Sequence, residues 1–112
     1  MEYTPSFVVP SIDGTVGFLR FNKGKVRNEP GVYLIHDLRG VIYVGKASSI
    51  RKRFEDHTER QVNPDLLHAM INPIGEQMFS WIHCEREDLE DLEAKLIRAF
   101  NPLANRIKYQ TK

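Results

Sequence analysis

Cysteine occurs once in the 112 residues, at Cys84, and tryptophan once, at Trp81. A single thiol excludes an internal disulfide framework and a cysteine metal cage, and among strand-forming neighbours Cys84 reads as a buried, inert thiol. Long apolar runs are missing as well: none approaches the roughly 18 residues needed to cross a membrane. The opening MEYTPSFVVPS lacks the basic and then continuously apolar regions of a signal peptide, so a cytoplasmic protein without membrane association is expected. Repeats, low-complexity tracts and linkers are also absent. What remains is a mix of 41% hydrophobic and 28% charged residues, enough for one globular domain without staples at this length. Net charge is scarce too, at +1 from 16 basic and 15 acidic residues, which announces no polyanion partner. The distribution is uneven, however: from Arg20 to Arg60 ten basic residues face five acidic ones. A charged face is usually a solvated face, so this basic middle raises a polyanion-binding reading only modestly.

Turn residues and periodicity then set the elements. Residues 1–30 are punctuated by Pro10, Asp13-Gly14 and Asn22-Lys23-Gly24 around two short apolar stretches, Phe7-Val8-Val9 and Val16 to Phe21, and read as an extended arm or small hairpin. Val32-Tyr33-Leu34-Ile35-His36 and Val41-Ile42-Tyr43-Val44-Gly45, joined by Asp37-Leu38-Arg39-Gly40, read as a β-hairpin. Ser48 or Ser49 caps a helix carrying Ile50, Arg53, Phe54 and His57 and ending near Arg60. Asn63-Pro64 opens a second short helix that stops near Asn72-Pro73. Gln77 to Cys84 alternates as a strand with both faces at least partly covered, and a last helix from about Glu87 to Phe100 is stopped by Asn101-Pro102.

On that last helix Leu89, Leu92, Leu96, Ile97 and Phe100 share one arc at 100° per residue, and Glu93 falls inside it. A carboxylate facing the protein body needs a partner, either an arginine or a metal ion; the helix alone does not choose. Arg53 and His57, four residues apart, project from one helix face and suit a phosphate, Arg as a planar fork and His as a donor or proton carrier near neutral pH. Alone, each would more often be a solvated cation or a bystander. Two tyrosines in a hairpin, Tyr33 and Tyr43, would likewise be ordinary core aromatics if they stood by themselves.

They stand in an ordered set. Gly31-Val32-Tyr33, then Tyr43-Val44-Gly45-Lys46-Ala47, then Arg53, His57, Glu93 within Leu92-Glu93-Ala94-Lys95-Leu96-Ile97, and Asn105 resemble the GIY-YIG nuclease family, and especially the N-terminal incision domain of the UvrC-type excision repair proteins. Val32 and Val44 stand for the isoleucines of the family name, a change that keeps β propensity. The resemblance covers residues 31–106, leaving 1–30 as an arm and 107–112 as a tail.

What it implies is an α/β (α+β) fold: a central, mainly antiparallel three-stranded sheet flanked by helices. It also implies a metal-dependent endonuclease that hydrolyses DNA phosphodiesters in repair, recombination or phage-like DNA processing. Glu93 would then hold one Mg²⁺ or Mn²⁺, Arg53 clamp the phosphate, and Tyr33 or Tyr43 act as general base. Lys46 would position the water or favour a phenolate, His57 would contact phosphate or water, and Asn105 would orient the site. Such a reaction needs charge neutralisation, an activated water and a protected leaving oxygen, and a phenol of ordinary pKa near 10 needs help to act as a base at neutral pH. Lys46, Arg51, Lys52 and Arg53 are the expected path of the DNA backbone. No targeting domain fits in the chain, which leaves specificity to a partner protein or self-association. The rival reading is a non-cleaving nucleic-acid-binding or interaction module on the same scaffold, against which the intact Tyr33, Tyr43, Arg53 and Glu93 argue.

Overall fold

A computed structural model of the chain describes residues 10–61 and 63–105. In order these form β1 (Gly14–Gly17), a 3-10 turn (Arg20–Lys25), β2 (Gly31–Asp37), β3 (Gly40–Ala47), α1 (Ile50–Glu59), α2 (Pro64–Ile71) and β4 (Met78–His83). A second 3-10 turn (Arg86–Asp88), α3 (Leu89–Phe100) and a third 3-10 turn (Leu103–Asn105) follow. Among the described residues no helix is long and apolar enough to cross a membrane.

The sheet has four strands in the order β1-β4-β2-β3, every pair antiparallel, where the sequence suggested three. The fourth comes from the amino-terminal segment: Gly14 to Gly17 pair with Trp81 to Met78. Gly-Thr-Val-Gly is too short and too glycine-rich to show a period of two, so its strand character comes from β4 rather than from its own propensity. Side chains reinforce the pairing, with Thr15 Oγ1 2.8 Å from Ser80 Oγ and His36 Nε2 2.7 Å from the same oxygen. Phe7-Val8-Val9 lies outside the described residues.

Alternation along the strands divides the core in two. One face carries Tyr33, Ile35, Phe79 and Trp81 beneath Phe18, Ile50, Phe54 and Leu66. Aromatic geometry fixes it: Phe54 meets Phe79 edge-on at 4.9 Å and Phe79 stacks on Tyr33 at 5.1 Å. The other face carries Val32, Leu34, Val44 and Ile82 under Leu96 and Ile97 of α3. β4 is therefore covered on both sides, with Phe79 and Trp81 on one face and Ile82 on the other.

The helices begin and end where capping chemistry places them. Ser49 accepts from the Lys52 N–H at the start of α1, and Asn63 accepts from the Leu66 N–H ahead of Pro64 in α2. α3 closes on Asn101 in the left-handed region (φ 48°), whose N–H reaches the Ile97 carbonyl, and Pro102 prevents continuation.

Candidate active site

The hairpin and α1 together build the site. Tyr33 on β2 and Tyr43 on β3 point to the face that α1 covers, and α1 turns Ile50, Phe54 and His57 inward. His57 enters against both phenols, with ring centroids 5.4 Å from Tyr33 and 5.5 Å from Tyr43, while the two tyrosines are 6.1 Å apart. Its Nε2 lies 2.6 Å from the Tyr33 hydroxyl oxygen. Tyr33 has no exposed surface, whereas Tyr43 keeps 8%.

The motif glycines have a steric reason. Gly45 faces Tyr33 across the β2–β3 ladder, and a Cβ there would overlap the Tyr33 phenol. At Gly31 a Cβ would overlap the Ile82 carbonyl of β4. One glycine admits the tyrosine ring and the other lets two strands close.

Burial dominates the electrostatics. It pushes the Tyr33 phenol well above its ordinary value of 10.0, the Tyr43 hydroxyl adds to the effect, and the Arg53 guanidinium beside it works the other way. Burial, reinforced by the Arg53 charge, pushes the His57 imidazole down from 6.5 to about 4, against the charge of Asp56, so the ring is neutral at neutral pH. Arg53 itself is incompletely used. Its Nε is buried and meets no acceptor among the described residues, and its ion pair with Asp56, at 3.7 Å with both side chains about two-fifths exposed (42% and 41%), is weak. A buried donor without an acceptor is unfavourable, and an oxygen-rich ligand relieves it. Beside it lies a surface cleft of about 500 Å³ lined by Arg53, Asp56, Glu59 and Arg60. A slightly larger cleft, about 560 Å³, lies away from these groups among Phe21, Met70 and Gln77, and carries no comparable chemistry.

Of the residues expected from sequence, Tyr33, Tyr43, Arg53 and His57 thus come together on one side of the sheet. Asn105 acts from the strand edge: its Oδ1 accepts from the Val44 N–H at 2.7 Å and its Nδ2 donates to the Val44 carbonyl at 2.8 Å. Glu93 is 5% exposed on α3, the helix that packs on β3 and β2 from the other side. Lys46 is exposed next to Gly45 and shares the side-chain parity of Val44. In the basic segment, Arg51 Nε donates to the Val26 carbonyl and Lys52 pairs with Asp56 at 3.2 Å, both ends exposed.

The surroundings of Glu93 limit what it could hold. Among the described residues no group of three or more His, Cys, Asp or Glu could hold an ion. One buried carboxylate is the protein share that suits Mg²⁺, which keeps several waters and completes its shell with phosphate oxygens. Gln61 is the member of the cluster that sequence did not single out: its Nε2 lies 2.8 Å from His57 Nδ1. The available signal was spacing, because Arg53, His57 and Gln61 succeed one another at intervals of four.

A family model described as a UvrC-like GIY-YIG domain matches residues 29–106. Among curated proteins, UvrABC system protein C of Novosphingobium aromaticivorans is 34% identical over 97 residues, covering 86% of this chain and 15% of that protein. Its counterpart from Proteus mirabilis is 37% identical over 82 residues, covering 72% and 13%. The chain therefore spans a small part of the length of these relatives. Among solved structures, the magnesium-bound GIY-YIG N-terminal endonuclease domain of UvrC from Thermotoga maritima superimposes with a TM-score of 0.62 at 24% identity, covering 77% of this chain and 93% of that one. That likeness establishes the fold.

Proposed function

Since this chain belongs to the UvrC-like GIY-YIG domain family, we propose that it is a metal-dependent endonuclease that hydrolyses phosphodiester bonds in DNA, in a repair process. The observation that carries the reading is the buried Tyr33–His57 pair beside Tyr43 and Arg53, with the Arg53 Nε lacking an acceptor among the described residues. A scissile phosphate supplies that acceptor: the guanidinium binds its oxygens as a fork and holds the negative charge that grows as water attacks phosphorus. Names of the relatives, UvrABC system proteins, favour DNA as substrate and protein partners that deliver it. The near-neutral charge favours delivery by protein partners, because a chain of net +1 gains little from nonspecific phosphate attraction.

Tyr43 is the better general base of the two phenols. Tyr33 is sealed and strongly disposed to keep its proton, whereas Tyr43 lies at the margin of the cluster where water reaches. Arg53 lies within electrostatic range of Tyr43, so that a Tyr43 phenolate, its own proton given to solvent, is faced by a positive charge until it takes the proton of the attacking water. Lys46, exposed immediately after Gly45 on the side-chain parity of Val44, adds positive potential on the α3 side of the sheet. Glu93 is the residue that would hold the divalent cation, Mg²⁺ or Mn²⁺, which when bound neutralises phosphate charge. Asn105 keeps β3, and with it Tyr43, in place. Lys46, Arg51 and Lys52 line the approach of the DNA backbone.

The test is cleavage of labelled single-stranded, duplex and branched DNA, and of RNA, with Mg²⁺, with Mn²⁺ and with chelator. The wild type should cut DNA only with a divalent cation, and Glu93→Gln and Arg53→Ala should each lower the rate by at least about 100-fold with circular dichroism and melting intact, the scale of one lost transition-state donor. Wild-type binding of DNA without cleavage under every metal, with partner proteins of the repair system added, would overturn the nuclease reading in favour of a binding module.

A further inference from the structure

Gln61 stands outside the ordered motif, just past the end of α1, yet it touches the centre of the cluster. Its side-chain amide has one defined orientation. The Asn63 backbone N–H, which can only donate, points at the Gln61 Oε1 at 3.1 Å, so that atom is the oxygen. The opposite end is therefore the NH₂ group, which also lies 3.7 Å from Met70 Sδ and 2.8 Å from His57 Nδ1. An amide nitrogen donates and does not accept, so Nδ1 must present its lone pair. In a neutral imidazole the proton then resides on Nε2. Turning the ring over would place carbons at both contacts and lose the two hydrogen bonds together.

From this geometry we infer that Gln61 is a positioning residue: by donating to Nδ1 it fixes His57 as the Nε2–H tautomer, so that His57 donates to the Tyr33 hydroxyl oxygen instead of accepting from it. The consequence for catalysis rests on the nuclease reading above. With its oxygen already accepting from His57, Tyr33 has its own O–H free to donate outward to its neighbour Tyr43, and the influence of Tyr43 on Tyr33 is that of a partner which helps it keep its proton. Gln61, His57 and Tyr33 then form a run of donors pointing one way, toward the side where Tyr43 lies, each polarising the next. A Tyr43 phenolate waiting for the proton of the attacking water would have that donor beside it. In the opposite tautomer Tyr33 would donate inward to His57, and Tyr43 would lose that donor. Sealing the imidazole also keeps it neutral, so its role is to donate a hydrogen bond and not to carry charge.

The experiment pairs the full chain with Gln61→Glu, a near-isostere that preserves an oxygen for the Asn63 N–H but turns the donor toward Nδ1 into an acceptor. Ring nitrogen-15 spectra of His57, assigned by loss of the signal in His57→Gln, report the tautomer without any need for activity. The wild type should show the proton on Nε2, and Gln61→Glu should move it to Nδ1 or hold both nitrogens protonated. Cleavage by Gln61→Glu should fall by about 10- to 100-fold, the scale set by groups that orient a metal-bound imidazole, and the acidic limb of its pH–rate profile should shift to higher pH. The groups facing His57 that enter this profile are Tyr33 from β2, Tyr43 from β3, Arg53 and Asp56 from α1, and position 61. A wild-type ring protonated on Nδ1, or a Gln61→Glu protein with unchanged tautomer and pH profile, would overturn the inference. If the tautomer switches as expected in a protein that cuts no nucleic acid, the inference about Gln61 stands and the nuclease reading is the one that fails.

Discussion

At Gly45 the constraint on the sequence is volume. The Tyr33 phenol occupies the space a Cβ would need, and the ring cannot retreat because Phe79 stacks on it at 5.1 Å and the hydroxyl is held by His57. Gly45→Ala should therefore destabilise the fold by about 1–3 kcal/mol, as overpacking of a filled core does. In a Tyr33→Ala background the same change should cost much less, giving a coupling of about 0.5–3 kcal/mol in a urea-denaturation cycle. Strictly additive costs would show that the two positions do not share space. Gly24→Ala, where a Cβ meets nothing within 4 Å, should stay within about 0.5 kcal/mol of wild type. This is the physical content of the glycine in Tyr43-Val44-Gly45: it is conditional on the tyrosine opposite.

Among the elements, β3 is an edge of the sheet, and among the described residues its outward backbone groups have no strand beside them. Asn105 supplies the missing partner at Val44 through a side-chain amide that copies the donor and acceptor of a neighbouring strand. Asn105→Ala should leave that buried pair unsatisfied, cost about 1–3 kcal/mol, and speed hydrogen exchange at the Val44 amide more than at the β2–β4 amides. Equal acceleration everywhere would mean that Asn105 acts on global stability alone. The element list was largely legible in the sequence for local reasons. Alternating β-branched runs marked β2 and β3, Ser49 and Asn63-Pro64 announced their helices, and the amphipathic arc of α3 correctly buried Glu93. Phe100, placed on that same arc, is 40% exposed because it closes the final turn where the chain leaves the sheet. β1 was illegible as a strand of this sheet because its partner lies more than sixty residues away and a four-residue Gly-Thr-Val-Gly segment carries no period. Gln61 was missed for a related reason: a polar residue in a connection acquires meaning only from what folding places beside it.

For the molecule as a whole, stability against pH brings two buried sites into one curve with separable windows. The His57 imidazole is held near pKa 4 against 6.5 when unfolded, so between those values the unfolded chain binds the extra proton. Stability must then rise with pH from about 4 to 6.5 and fall as acid is added through that range. The shift corresponds to at most about 3 kcal/mol. Asp37 behaves differently: hydrogen bonds from Arg39, chiefly its side chain, with further ones from the Ile74 N–H and Gln77, hold its carboxyl well below the ordinary 3.8. That contribution is present above 3.8 and is lost only as pH falls further. His57→Gln should therefore reduce the slope of the stability curve between pH 4 and 6.5, leaving the share of His36, whose pKa burial also lowers, and the steep acid limb intact, and Asp37→Asn should remove part of the acid limb while preserving the slope above it. Urea denaturation at half-unit pH steps distinguishes them, and a His57→Gln protein that retains the full slope between pH 4 and 6.5 would show that the imidazole is not the group sealed in the site. Because the same sealed, neutral ring is what donates to Tyr33, the slope in that window measures how well the hairpin and α1 exclude water from the tyrosine pair, which ties the stability of the molecule to the readiness of its site.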